Sequence, residues 1–322
     1  MTKNQKTAFS LIELSIVIII ISILITGSLS ASVSALNNAR IKVTKDRMAE
    51  IYKALGNYLL INGTLPCPAS IIAVKASDAT YGTSAGVAGA CASSGDCSAT
   101  GVCNPASGAT NLVYGMVPVK TLGLSNDMAE DGFENKIAYI VDKNFTGSNF
   151  GTTALATGTM TVNEIPGSAT HTNTDDAIFA LVSHGSNKSG AFANNSATQN
   201  TRSIDSSEMS NDLDDLTSPN FDNILIADAK NSDFFDDIVF FKTRNSLVLD
   251  FNAFSTIYCQ AGTLSLNYGG AASYTFPQGS YDQIVTSTTI CPAGYRTTTQ
   301  YPTRRCGAFG VWQSFAINPC TA

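Results

Sequence analysis

The strongest constraint on this chain lies near its start. An aliphatic run from Phe9 to Ile25 is interrupted by a single carboxylate, Glu13. Lys3 and Lys6 precede it, and a small-residue tail, ITGSLSASVSAL, follows. Three readings compete. A secretory signal peptide would take Leu14 to Ile25 as its apolar region and SASVSA as its cleavage zone. A plain membrane anchor would use the tail to reach the usual ~20 residues. A third form is a cleaved leader followed by a helix later withdrawn from the membrane. Glu13 separates them. A signal peptide gains nothing from it, and a plain anchor carries a penalty of up to ~3 kcal/mol for a central acid, less near the end. An ionisable group inside a membrane is functional by default and needs a named partner.

A cut between Ala8 and Phe9 supplies that partner, because it creates an α-amine one helical turn before Glu13. With a neighbouring subunit displaced by about a turn, its amine can meet this carboxylate. A buried ion pair of this kind sets register at little net gain in stability. The stretch Ala8-Phe9-Ser10-Leu11-Ile12-Glu13-Leu14 resembles the signal of type IV prepilins and type II secretion pseudopilins. The resemblance implies that a prepilin peptidase cuts before Phe9 and methylates the new amine, and that Glu13 serves subunit assembly. Ala8 stands where the family usually has glycine. Arg40, Lys42, Lys45 and Arg47 outnumber Lys3 and Lys6 across the apolar run. They begin well beyond Ile25, however, and the later cysteines need an oxidising side, so the leader is placed in the cytoplasm.

Past Leu36 the pattern turns amphipathic. Ile41, Met48 and Leu55 recur at heptad spacing, with Thr44, Ile51 and Tyr58 interleaved. Gly63 and Pro66 end the pattern. One helix from Phe9 to about Asn62 would span ~80 Å, far more than a bilayer requires.

Charged residues make up only 14% of the 322-residue chain, and the net charge is −6. A nucleic-acid partner, which needs a basic footprint, is not expected. The eight cysteines fall into two groups of four: Cys67, Cys91, Cys97 and Cys103, then Cys259, Cys291, Cys306 and Cys320. None has CxxC spacing and the chain holds only two histidines, so disulfides in an oxidising compartment are favoured over metal thiolates. A closed group of four allows three connectivities. Of these, Cys67–Cys103 with Cys91–Cys97 is the expected choice for the first group.

KIAYIV, AIFALV and FFDDIVFFKT carry strand patterns. DGFEN precedes the first, and Ser183-His184-Gly185 follows the second. This order resembles the sheet of pseudopilins, with Phe133 and Glu134 in place of the family's Trp and Gly. Ser183 and His184 invite a hydrolase reading, but neighbours on a strand point to opposite faces, and no GxSxG elbow is present. No enzyme activity is expected. Acids crowd from Asp205 to Asp237. Asp212, Asp214, Asp215 and especially Asp233, Asp236 and Asp237 could hold Ca²⁺, which takes oxygen ligands; calcium in a late loop is also what a likeness to major pseudopilins implies. The EF-hand pattern is absent and Ala191 to Ala261 contains no glycine. A solvated acidic face is the plainer reading, with no cofactor.

Cys259 to Cys320 resembles a sushi module in its four cysteines and in the chain's one tryptophan, Trp312. That resemblance implies the pairs Cys259–Cys306 and Cys291–Cys320.

The expected fold is therefore α+β and pilin-like. A long N-terminal helix packs on an antiparallel sheet, and a small disulfide-rich all-β module follows. The expected division is a leader at 1–8, the membrane and spine helix at 9–62, the globular domain at 63–250 and the module at 251–322. The expected function is a minor pilin or pseudopilin in the bacterial inner membrane, single-pass, with its C-terminal domain periplasmic or carried into an extracellular filament. Its partners would be prepilin peptidase, other pilin subunits, the inner-membrane assembly platform and the membrane. The alternative is a membrane-anchored binding protein or adhesin that never polymerises.

Overall fold

The structure is a computed structural model that describes residues 11–87, 90–93, 95–104, 111–147, 158–167, 169–217, 219, 221–230, 234–253, 258–267, 271–289, 302–307 and 312–313. One helix, α1, runs unbroken from Leu11 to Asn62. Gly63 N–H donates to Leu59 C=O and Asn62 Nδ2 to Tyr58 C=O, which satisfies carbonyls that the helix end would otherwise orphan. Its second half buries one stripe: Thr44, Met48, Ile51, Leu55 and Leu59 are each at most 1% exposed. The 3–4 spacing is that of a helix with one face in a core. The heptad seam thus faces the chain's own sheet.

That sheet has six strands: β1 (Leu112–Met116), β2 (Ala138–Asp142), β3 (Met160–Ile165), β4 (His171–Ser183), β5 (Ile224–Ala229) and β6 (Ile238–Thr243). The order is β1-β2-β4-β3-β5, with β6 also paired to β4. Ala177 is the hinge of this arrangement, facing Met160 of β3 on one side and Thr243 of β6 on the other. Most pairs are antiparallel, but β3 and β5 run parallel, Val162 opposite Leu225. The sheet is therefore mixed and not wholly antiparallel as the sequence suggested. A long excursion through β4 and the acidic segment separates the two strands, and a crossover of that length permits a parallel return. The fold class is α+β. Two short helices, α2 (Ser206–Met209) and α3 (Arg244–Asp250), flank the sheet.

Cys67 joins Cys91 and Cys97 joins Cys103, which corrects the expected Cys67–Cys103 and Cys91–Cys97. Ala69 bridges both Met116 and Ser84, and Ala85 N–H donates to Pro68 C=O, so the 84–91 segment folds back beside Cys67. Gly101 N–H donates to Cys97 C=O, a local turn that returns Cys103 to Cys97. Digestion with trypsin and Asp-N under non-reducing conditions should therefore link the Cys67 peptide to the Cys91 peptide and keep Cys97–Cys103 within one fragment. Replacing Cys67 and Cys91 together by alanine should cost about 3 kcal/mol, the loop-closure value for a ring of this size.

In the C-terminal part, the hairpin β7 (Gly262–Asn267) and β8 (Ala271–Phe276) stands beside the pair β9 (Ile284–Thr286) and β10 (Thr303–Arg305). Cys259 joins Cys306. Tyr274, Phe276, Val285 and both of these cysteines are buried, and none belongs to the cluster around α1. The Arg304 guanidinium lies 5.7 Å from the Phe276 ring centre and 5.9 Å from that of Trp312. Cys291 and Cys320 lie outside the described residues.

Candidate functional site

Two places concentrate unusual chemistry. The first is the start of α1. From Leu11 to Leu24 every described side chain is exposed, with Leu11 at 89% and Ile23 at 68%. A helix apolar on all sides belongs in lipid or among other helices. Its two hydroxyls are satisfied internally, Ser15 Oγ donating to Ile12 C=O and Ser22 Oγ to Ile18 C=O. That suits surroundings without water. Glu13 is the one charged side chain in this stretch and sits in the first helical turn, where the positive end of the helix dipole favours an anion. Ala8 and Phe9 lie outside the described residues. Among the described residues, no helix is long and apolar enough to cross a membrane.

The helix is clasped to the sheet through DGFEN. Arg47 Nη1 donates to the carbonyls of Glu130 (2.8 Å) and Asp131 (3.1 Å), and Gly132 N–H donates to Thr44 Oγ1 at 2.9 Å. Asp131 is the node of the turn. Its Oδ1 accepts from Phe133 N–H and Asn135 N–H, and its Oδ2 from Ser183 Oγ. Burial nevertheless raises its pKa, against the pull of those hydrogen bonds. Glu134 adopts a φ of 70°, in the left-handed region that favours glycine.

The second place is the turn after β4. Ser183 turns to Asp131, while His184, 2% exposed, places Nδ1 3.7 Å from Asp237 Oδ1. The two side chains thus face different carboxylates. Burial works against protonation of His184, but Asp237, followed by Asp212 and Asp131, prevails and raises its pKa.

Of the acids singled out from sequence, Asp236 and Asp237 come together, and Glu208 of α2 completes the group. Asp233 lies outside the described residues. Asp212 and Asp214 are taken up by Arg202, and Asp215 by Thr217. Sequence reasoning missed Glu208; the signal available was Asp205, whose carboxylate caps Ser207 N–H and Glu208 N–H and so fixes α2. Asn187 was missed as well. Its Nδ2 reaches both Glu208 Oε1 (2.5 Å) and the Phe234 carbonyl (3.1 Å).

Residues 3–29 match the family model for the prokaryotic N-terminal methylation motif. The chain thus carries the prepilin-type signal, which marks a type IV pilin-like or pseudopilin-like substrate of prepilin peptidase. The match ends at residue 29 and gives the sushi resemblance no support. Neither the curated proteins nor the solved structures returned a match to the chain.

Proposed function

We propose that this chain is a minor pilin or pseudopilin, a structural subunit of a type IV pilus or type II secretion filament. The observation that carries the reading is a single helix with two environments. Its first part exposes aliphatic side chains on every side around one carboxylate, and without a break its second part enters the core of a folded head. An anchor alone needs no such continuity. A subunit that must move rigidly from bilayer to filament does.

In this reading prepilin peptidase cuts between Ala8 and Phe9, and the Phe9 amine is methylated. The described apolar side chains of 11–24 cover ~21 Å of helix; Phe9 and Ile25 extend the run toward a bilayer core of ~30 Å. The mature protein would cross the inner membrane once, with the disulfide-bonded head in the periplasm, the compartment where such bonds persist. Head-to-tail contacts through the same faces build an open helical filament, as heterologous interfaces that do not close must. The assembly platform and neighbouring pilins are the partners. In this reading the head divides near residue 251, and a large head that carries a small distal module suits a low-abundance or tip subunit with a contact role and no catalysis.

Mass spectrometry of the protein purified from its native membrane tests this reading. The mature chain should begin at N-methylated Phe9. A chain beginning at Met1, or one cut in the serine-rich stretch near residue 31, would exclude it.

A further inference from the structure

The geometry points to a docking surface on the head, an open pocket between α2 and the approach to β5, that receives the Arg40 face of α1 from a second copy of this chain. The inference rests on the filament reading and adds to it which surfaces of two copies meet.

The pocket measures ≈ 290 Å³. Met209 and Phe221 supply its apolar lining, and Ser206, Asp214 and Asp222 are among its polar groups. Arg202 lines it as well, but its guanidinium is already engaged. Nε and Nη2 bind Asp212 at 2.8 and 2.7 Å, and Nη1 binds Asp214. Asp222 Oδ1 accepts from Ile224 N–H, and no basic group among the described residues pairs with this carboxylate. One guanidinium against three carboxylates leaves the wall negative. Ile204, between Arg202 and Ser206 in the chain, is 94% exposed. A negative pocket with an apolar lining, beside a bare aliphatic side chain, fits a cation that is itself flanked by apolar groups.

The second half of α1 presents such a cation. Leu36, Arg40 and Val43 stand at i, i+4 and i+7 and share one helix face. All three are exposed, Leu36 at 55% and Val43 at 40%. Neighbouring cations are used elsewhere or lie off this face. Lys42 pairs with Asp46 at 2.8 Å, and Arg47 holds the carbonyls of the DGFEN turn. Lys45, five residues beyond Arg40, stands about 140° around the helix from it. Arg40 has no ion pair among the described residues. The cation left over on the helix therefore lies between aliphatic side chains, and the acids left over on the head lie beside others.

With the two joined, the methylene stem of Arg40 covers Met209 and Phe221 while its guanidinium reaches Asp214 and Asp222, a charge-assisted contact. Leu36 and Val43 flank it as apolar cover for Ile204. Each copy carries both halves on different surfaces, so the contact is heterologous and repeats along an open assembly. One such contact buries far less than the ~1,600 Å² of a stable interface. Its part is to fix the side and register on which the apolar helices meet, as complementary charge does at interfaces.

The test is a charge exchange in the full chain, expressed in its native host and read by immunoblots of sheared filaments. Arg40→Glu and Asp222→Arg should each lower recovery in filaments at least about tenfold, because each sets like charges face to face. The double variant should return to within about threefold of wild type. Asp222→Asn keeps an acceptor for Ile224 N–H and removes only the charge, and its loss should be intermediate. Thermal unfolding in detergent should place every variant within about 3 °C of wild type, less than a 1 kcal/mol change produces in most domains. Wild-type chain in filaments together with unaffected Arg40→Glu and Asp222→Asn variants would overturn the inference and leave the filament reading standing. A double variant no better than the weaker single would also overturn it, since the pocket then serves a different partner or the fold itself. Wild-type chain absent from filaments and beginning at Met1 would exclude the filament reading, and this inference with it.

Discussion

Replacing Glu13 with alanine is expected to reduce incorporation into filaments by at least tenfold, about 1.4 kcal/mol or more, while membrane insertion and cleavage at Phe9 continue. The carboxylate is the only charge among the aliphatic side chains at the head of α1, so its removal makes the helix a better membrane anchor. In an assembled filament the balance reverses. If the amine of one subunit lies against Glu13 of the next, alanine leaves that amine buried alone, and breaking one partner of a buried pair typically costs about 3–5 kcal/mol. Immunoblots of sheared filaments and of membranes from the same cells separate the two effects. A membrane-anchored binding protein that never assembles would show no difference between Glu13→Ala and wild type in any fraction. Loss of the variant from membranes and filaments alike would place Glu13 in insertion and not in assembly.

The parts of this molecule that could be read from sequence are those governed by local periodicity. Thr44, Met48, Ile51 and Leu55 were marked by spacing and are buried, because a helical stripe is a property of one segment. The strands at Ala138–Asp142, within His171–Ser183 and at Ile238–Thr243 follow from alternation or from dense apolar runs. What could not be read depends on segments distant in sequence. Cys67 pairs with Cys91 because Pro68 and Ala69 receive the 84–85 backbone, and no spacing rule encodes that. Glu208 joins Asp236 and Asp237 only once the turn after β4 has placed Asn187 between α2 and Phe234. Asp212 and Asp214 looked equivalent to the clustered acids, yet Arg202 pairs with both. The parallel pairing of β3 with β5 is likewise set by where the chain returns, not by the composition of either strand.

The second large effect is expected from one methyl group at residue 132. A Cβ at Gly132 would stand 2.2 Å from the Arg40 carbonyl oxygen and 2.8 Å from the Arg40 Cα. Those are helix backbone atoms and cannot rotate aside as a side chain can. Gly132→Ala must therefore push the DGFEN turn off α1. The shift lengthens the bond from Gly132 N–H to Thr44 Oγ1 and disturbs the two that Arg47 makes to Glu130 and Asp131. It also pulls on Asp131, which carries the turn to β4 through Ser183. Overpacking costs about 1–3 kcal/mol and each weakened hydrogen bond roughly 1 kcal/mol, so a loss of about 2–4 kcal/mol should appear as a lower urea midpoint with an unchanged slope. Gly95→Ala is the control, because nothing lies within 4 Å of a Cβ there; it should change stability by less than about 0.5 kcal/mol. If the two variants unfold alike, the turn does not rest on the helix, and the rigid connection between membrane segment and head is absent. In the proposed filament a subunit is extracted through its helix, so a head that swings freely on that helix could not hold the register that the proposal assigns to Glu13. Gly132 thus tests the mechanical half of the same proposal whose electrostatic half rests on Glu13.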